Sequence, residues 1–310
     1  MVKTQERRMS MTDPSRAAEF RVAVAIATAG RGDVLREMAG FWGHQSRPPC
    51  AILVSASSSA DVDGLAQAFP HIEVVLGPKG LARQRNTALR ALKDRCDAVV
   101  FFDDDFLPSR FFIERTAALL SAHPEIAGMS GVLKDDGVGR GGVALSEAKA
   151  LVEAADKALP PLHSPLKTIN NMYGCNMVAR MPAALDVLFD ERLPLYGWQE
   201  DVDFSVRLRP YGRIVRTRAL TGVHLGVRSG RSPGVPLGYS QIANLHYLVR
   251  KGTFTPHNAL QLAGRNFAAN LAKALFPEPW IDRKGRLVGN LMALRDMAAG
   301  RIDPERVRDL

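Results

Sequence analysis

Between Phe20 and Asp104 the chain alternates short apolar runs with helix-period segments, and this alternation narrows the folds open to it. "FRVAVAIAT" (20–28), "CAILVSAS" (50–57), "IEVVLG" (72–77) and "AVVFFDD" (98–104) are β-branched or Ala-rich runs too short for helices. "VLREMAGFWGHQ" (34–45) instead carries helical spacing at Leu35, Met38, Ala39 and Trp42. "GLARQRNTALRALK" (80–93) does the same at Leu81, Ala82, Ala88, Leu89 and Leu92. Strands that alternate with helices predict a doubly wound α/β layer, Rossmann-like, with a mostly parallel sheet flanked by helices. Such sheets bind ligands beyond the carboxyl ends of their strands.

Further along, a helix is expected after Pro108 ("SRFFIERTAALLSAHP") and a strand at "IAGMSGVL". "KDDGVGRGG" (134–142) reads as loop, "SEAKALVEAADKAL" as helix, and "GCNMVARMPAALDVL" as a strand joined to a helix. A helix is expected from near Gln199 to before Gly212, then a strand at "RIVRTRALTGVHLGV". "RSGRSPGVPLG", Arg228 to Gly238, has the Gly, Arg and Pro content of a flexible loop. From Tyr239 the pattern is mainly helical.

The fourth strand run ends in three aspartates, Asp103, Asp104 and Asp105. Carboxylates a few ångströms apart raise one another's pKa unless positive charge sits among them. Turn aspartates are common at strand ends, but three in a row after "VVFF" point to a metal or nucleotide site. The oxygen-only pair Asp103 and Asp105 suits Mg²⁺ or Mn²⁺ rather than zinc. A second acidic cluster, Glu200, Asp201 and Asp203, opens a helix among Trp198, Val202, Phe204 and Val206. Acids at a helix start complement its dipole, yet a half-buried carboxylate there could also serve as a general base. His224 precedes Arg228 and Arg231, whose glycine-rich setting would let them approach phosphates.

A formal net charge of +9 suits anionic partners such as nucleotide phosphates or an anionic membrane surface. No nucleic-acid-binding signature accompanies it. Three scattered cysteines (Cys50, Cys96, Cys175) and no C-x-x-C argue against a disulfide framework and for a reducing compartment. The first twenty residues are polar and no run of about 18 apolar residues occurs. The expectation is a cytoplasmic protein, with contact at the inner face of the cell membrane left open.

In this order the pieces resemble the family 2 glycosyltransferases over roughly residues 20–230. "VAIATAGR" is similar to the family's opening strand, with Thr28 and Arg31 at the matching places. "GPKGLARQRNTALRAL" is similar to its A-R-N segment, with Arg83 and Asn86. "FFDDDFLP" matches the D-x-D segment that holds metal and donor diphosphate, and "GCNMVAR" with "LFDERLPLYGWQEDVDFSVRLRPYG" resembles the acceptor-side block. His224 matches a histidine that completes the metal shell. One departure is Ser55, where the family commonly has an Asp that contacts the nucleobase; Ala88 replaces a usual Gly.

The resemblance implies a GT-A fold over 20–238, with a nucleotide-binding half (20–107), an acceptor half (108–238), a disordered lead (1–19) and a helical C-terminal extension (239–310). It implies an inverting, metal-dependent enzyme moving a sugar from a nucleotide-diphospho-sugar to a carbohydrate or lipid-linked hydroxyl acceptor, in polysaccharide or glycoconjugate synthesis. Mn²⁺ or Mg²⁺ would sit on Asp103, Asp105 and His224. Thr28, Arg31, Ser55, Arg83, Asp103, Asp104, Arg228 and Arg231 would bind the donor. Asp201 would be the base beside Glu200, with Trp198 and Glu200 toward the acceptor. Two rival classes remain: a nucleotidyltransferase, whose Gly-rich signature "TAGRGDVL" only faintly resembles, and a non-catalytic nucleotide- or sugar-binding module.

Overall fold

The computed structural model describes residues 20–227, 233–276 and 278–310. The lead 1–19, Arg228 and Arg231 lie outside the described residues. Strands β1 (Val22–Thr28), β2 (Ala51–Ala56), β3 (Ile72–Leu76) and β4 (Ala98–Asp103) pair in parallel in the order β3-β2-β1-β4. Both faces of β1 and β4 are covered, which is why their sequences run apolar without alternation. The sheet continues through β8 (Asn176–Arg180), β6 (Ile126–Asp136), β9 (Arg213–His224) and β5 (Phe106–Pro108), with β7 (Lys167–Thr168) also on β9. There β8 is antiparallel to β4 and β6, β6 and β9 are parallel, and β5 and β7 run antiparallel to β9.

The helices are α1 (Gly32–Gly43), α2 (Leu65–Ala68), α3 (Leu81–Ala91), α4 (Phe112–Ala122), α5 (Leu145–Lys157), α6 (Met181–Val187), α7 (Glu200–Leu208), α8 (Gly234–Lys251), α9 (Pro256–Leu275) and α10 (Arg283–Ala298). Successive residues of β4 serve opposite cores, as a strand requires. Phe102 packs with Phe106 and Phe112 on the α1 and α4 side. Phe101 packs edge-on to Phe189 and Phe204, which are stacked 4.1 Å apart on the other side. Buried on both sides, β4 delivers Asp103 to a fixed place.

Two expectations change. β5 is too short to show a period in sequence, and β6 runs through Asp136 where a loop was expected; both rest on pairing with β9. The expected loop 228–238 is helical from Gly234. Pro236 is tolerated because it lies in the first turn, where a backbone N–H has no intrahelical partner. The glycines serve contact rather than mobility. A Cβ on Gly238 would lie 2.1 Å from the Arg286 carbonyl oxygen, and one on Gly289 would lie 2.1 Å from that of Val235. α8 and α10 therefore touch backbone to backbone. Buried amides tie α9 to them: Asn270 Nδ2 donates to Gln241 Oε1 and Asn290 Oδ1, and Asn290 Nδ2 to the Gly238 carbonyl.

Candidate active site

Three elements bring the acidic groups together. The chain turns after β4, leaving Asp103 partly exposed and burying Asp104 and Asp105. Register then supplies the histidine. Phe106 of β5 faces His224 of β9, and Asp136 of β6 faces it from the other side. His224 Nε2 lies 3.2 Å from Asp105 Oδ1 and 3.7 Å from Asp103 Oδ2. Its Nδ1 lies 3.1 Å from Asp136 Oδ1, and Tyr173 Oη–H donates to the other oxygen of Asp136 at 2.7 Å.

Arg31 answers much of the charge on the triplet. It reaches Asp104 Oδ1 at 2.7 Å and Asp105 Oδ2 at 2.8 Å. Thr28 Oγ1–H donates to Asp104 Oδ2 at 2.8 Å, and the Val227 amide donates to Asp105 Oδ2 at 2.7 Å. Burial pushes Asp104 up to about 7 against the pull of Arg31. Burial also works on Asp105, but His224 and Arg31 outweigh it and hold Asp105 well below the usual carboxylate range. His224 is raised to about 10: burial opposes its charge, and the hydrogen bonds to Asp105 and Asp136 overcome that.

Ligand atoms of Asp103, Asp105 and His224 lie within 4.8 Å of one another. Asp105 Oδ1 is buried and has the His224 imidazole as its ion-pair partner. Two carboxylates and an imidazole converging in this way form a donor set that fits a divalent cation, and Asp136 orients the imidazole as carboxylates do behind metal-bound histidines.

Behind Asp103 stands Arg85, buried on α3 against the rings of Phe101 and Phe189. Its Nη1 pairs with Glu200, and its Nη2 donates to Asp103 Oδ1 at 3.1 Å and to the Gly174 carbonyl at 2.9 Å. Gly174 N–H donates in turn to Asp201 Oδ2 at 3.1 Å. Burial, then the charge of Asp201, pushes Glu200 up to about 8. Asp201 is raised as well, by burial first. Asp203 plays a different part. It is tied to Arg207, Lys251 and Thr253 and anchors α7 to the end of α8.

A cavity of about 640 Å³ opens at these strand ends, lined among others by Thr28, Arg31, Asp61, Lys79, Asp103 and Tyr196. Asp61 Oδ1 accepts the Gly30 amide at 2.8 Å. Ser55 is not among the lining residues: its side chain is buried, while Ser57 and Ser58 reach the cavity. Trp198 is half-buried beside Glu200, and its carbonyl accepts Asn244 Nδ2–H. Arg83 points elsewhere, 3.8 Å from Glu191, and the site guanidinium on α3 is Arg85. Helical period distinguishes the two: Ala82, Arg85, Asn86 and Leu89 share the buried face. Asn86 closes that face by donating to the Phe189 carbonyl and accepting its amide. Asp136, Tyr173, Asp61 and Lys79 gave no sequence signal of their own, because register and turns bring them in.

Residues 30–184 match the family model described as glycosyl transferase family 2. The chain belongs to that family. No curated protein sequence matches it. The structure is similar to the S. aureus TarS fragment 1–349 in complex with UDP-GlcNAc, with a TM-score of 0.55 at 14% identity, covering 94% of this chain and 91% of that one. It is also similar to the mannosyltransferase PcManGT from Pyrobaculum calidifontis in complex with GDP-Man and Mn²⁺, at TM-score 0.52 and 17% identity over 91% and 86% of the two chains. GalNAc-T7 with UDP, GalNAc and Mn²⁺ has TM-score 0.52 at 12% identity, covering 94% of this chain and 56% of that one. The family 2 chain thus has the GT-A fold, with a helical C-terminal region.

Proposed function

We propose that this glycosyltransferase moves a sugar from a nucleoside-diphosphate donor to a hydroxyl acceptor with inversion at the anomeric carbon. One observation carries the reading: Asp103, Asp105 and His224 converge beside the 640 Å³ cavity, while Asp201 stands across the Arg85–Gly174 bridge from Asp103. The nucleotide-sugar and Mn²⁺ complexes of the structural neighbours support it.

A divalent ion on Asp103, Asp105 and His224 would act as a Lewis acid for the diphosphate leaving group. The chain's own residues do the rest. Thr28 and Arg31 hold Asp104 and Asp105 in place, and the cavity with Lys79 and Asp61 takes the nucleotide. Recognition of the base falls to Ser57, Ser58, Asp61 or backbone, since Ser55 is turned into the core. Asp201 accepts the proton of the acceptor hydroxyl on the face opposite the leaving group, which gives inversion in a single displacement. Glu200, beside Trp198, helps orient the acceptor, and it adds negative charge next to Asp201 only once it ionises itself.

The acceptor belongs to polysaccharide or glycoconjugate synthesis at the cytoplasmic face of a membrane. Among the described residues no helix is long and apolar enough to span one. Instead, α9 exposes Leu260 (75%) and Leu275 (78%), and Phe276 (83%) follows. Arg265, Lys284 and Arg295 nearby in sequence make no ion pair among the described residues. An anionic lipid surface complements both features.

The test is calorimetric titration with a panel of nucleoside diphosphates, with and without Mn²⁺, in wild type and Asp105→Asn. The reading expects Mn²⁺ to tighten one of them in wild type and to have lost that effect in the variant. Equal Mn²⁺ dependence in both proteins rejects the metal assignment, and no binding of any nucleotide rejects the transfer reading.

A further inference from the structure

A second cavity, of about 680 Å³, lies between β6, the 167–173 segment and β9. Ser130, Lys167, Asn170, Asn171, Tyr173 and Arg216 are among its lining residues, and none of the lining residues is an aspartate or glutamate. It meets the site already described at one place. Tyr173 lines the cavity and holds Asp136 behind His224, and the next residue, Gly174, donates its amide to Asp201. A hydroxyl delivered to Asp201 therefore has the rest of its molecule close to this opening.

The charge on the cavity wall is unusual in one respect. Lys167 and Arg216 are directly opposite partners in the β7–β9 ladder. Like charges opposite one another destabilise a strand pair. Both side chains are exposed, and neither makes a hydrogen bond or ion pair among the described residues. Water and salt screen part of the repulsion, but two unpaired cations on a concave, carboxylate-free wall concentrate positive potential where a ligand would lie. A two-residue strand gains little from holding them there. Neutral polar side chains at the same wall, Asn170 and Asn171, suit the hydroxyls of a glycan.

We propose that this cleft binds an anionic acceptor chain, one that carries phosphate or carboxylate groups along a polyhydroxyl backbone, with Lys167 and Arg216 gripping an acidic group while the reacting hydroxyl reaches Asp201. The proposal rests on the transfer reading and adds the chemical class of the acceptor to it. Guanidinium and ammonium groups bind both kinds of anion, so the test separates the two sources.

Three tetrameric probes are titrated by calorimetry: a glycerol-phosphate tetramer, tetragalacturonate and neutral maltotetraose. Mn²⁺ and the tightest nucleoside diphosphate are present at saturation, so that the diphosphate site is filled. Where no nucleotide binds, the transfer reading has failed on its own, and the probes are titrated without it. One anionic probe should bind wild type at least about tenfold tighter than maltotetraose, the scale of one or two charge-assisted contacts. Lys167→Ala/Arg216→Ala should remove that preference, and Lys167→Glu/Arg216→Glu should abolish anion binding. Lys93→Ala/Lys157→Ala removes two exposed charges from helix ends outside the cleft and should keep the preference. The stronger of the phosphate and carboxylate arms names the source. The proposal is overturned if no anionic probe exceeds maltotetraose, or if the cleft variant and the control pair change affinity equally. Melting midpoints of all variants exclude misfolding as the cause of any loss.

Discussion

Arg85 Nη2 lies 3.1 Å from Asp103 Oδ1, and the other terminal nitrogen of the same guanidinium holds Glu200. One buried cation thus joins the end of β4 to the start of α7, where Glu200 and Asp201 stand. The Gly174 carbonyl fills a remaining donor direction, so the fork is satisfied on three sides. A lysine could supply the charge there but not the geometry.

Arg85→Ala leaves Glu200 and Asp103 without their shared partner in an apolar setting. Removing one member of a buried pair costs on the order of 3–5 kcal/mol. Urea denaturation should show a loss of that size. Arg83→Ala provides the contrast. Its contact with Glu191 is long and partly exposed, and such pairs are worth about 0–1 kcal/mol. Equal destabilisation by the two substitutions would contradict the assignment of Arg85 as the site guanidinium.

The Glu200–Asp201 pair predicts two pH effects. Asp201→Asn should keep nucleotide affinity and lower turnover by a factor of about a hundred to ten thousand, the usual weight of a general base. Glu200→Gln mimics the protonated carboxyl, so the rising limb set by Asp201 should stay in place, while any change in rate that wild type shows as Glu200 ionises near 8 should be absent. Stability depends on the same proton. Glu200 is raised from 4.5 to about 8 in the fold, so between those values the folded state binds more protons than the unfolded chain. Stability must then fall as pH rises through that window. Melting midpoints from pH 5 to 9 should slope downward in wild type and less steeply in Glu200→Gln. Parallel slopes would mean that Glu200 does not hold the proton.

The parallel half of the sheet was legible because burial on both faces of β1 and β4 leaves a continuous apolar signature, and α3 was legible from its period. The D-x-D pair, His224 and the acidic start of α7 were joined into one site by the family resemblance alone, not by any local pattern in the residues. Their convergence depends on β5 and β6 pairing with β9, a long-range register that no local pattern encodes. Motif matching does not separate Arg83 from Arg85, because it ignores which face of the helix a residue occupies. Glycines 234 and 238 read as loop because composition does not distinguish a glycine needed for mobility from one needed for close approach.

That last distinction is testable on α8 and α9. Gly238→Ala puts a Cβ 2.1 Å from the Arg286 carbonyl oxygen, and the backbones must separate. Overpacking of this kind costs about 1–3 kcal/mol. Gly264 on α9 has open space around its Cβ position and sits mid-helix. Gly264→Ala should therefore stabilise the protein by about 0.5–1 kcal/mol through helix propensity. Opposite signs in urea denaturation support backbone contact between α8 and α10. Stabilisation by both substitutions would return Gly238 to the role of a mobile linker.

The exposed face of α9 gives the final prediction. Among the described residues only Ala259 and Asn270 of this twenty-residue helix are buried, and Leu260, Leu271 and Leu275 stand exposed on it. Leu260, Leu271 and Leu275 follow one another at spacings of 11 and 4 residues with Gly264 and Ala268 between them, and spacings of 3 and 4 keep such positions on one side of a helix. Unpaired basic residues on α9 and α10 add electrostatic attraction to an anionic leaflet, worth about 1 kcal/mol per residue near the surface. The protein should co-sediment with vesicles containing phosphatidylserine at low salt. It should release partly at high salt, as the electrostatic share is screened and the apolar share is not. Leu271→Ser/Leu275→Ser should weaken binding at every salt concentration, whereas Arg265→Ala/Lys284→Ala should weaken it chiefly at low salt. Phosphatidylcholine vesicles should bind more weakly throughout. If wild type ignores anionic vesicles at low salt, or if the leucine pair can be replaced without effect, this helix face does not meet a membrane.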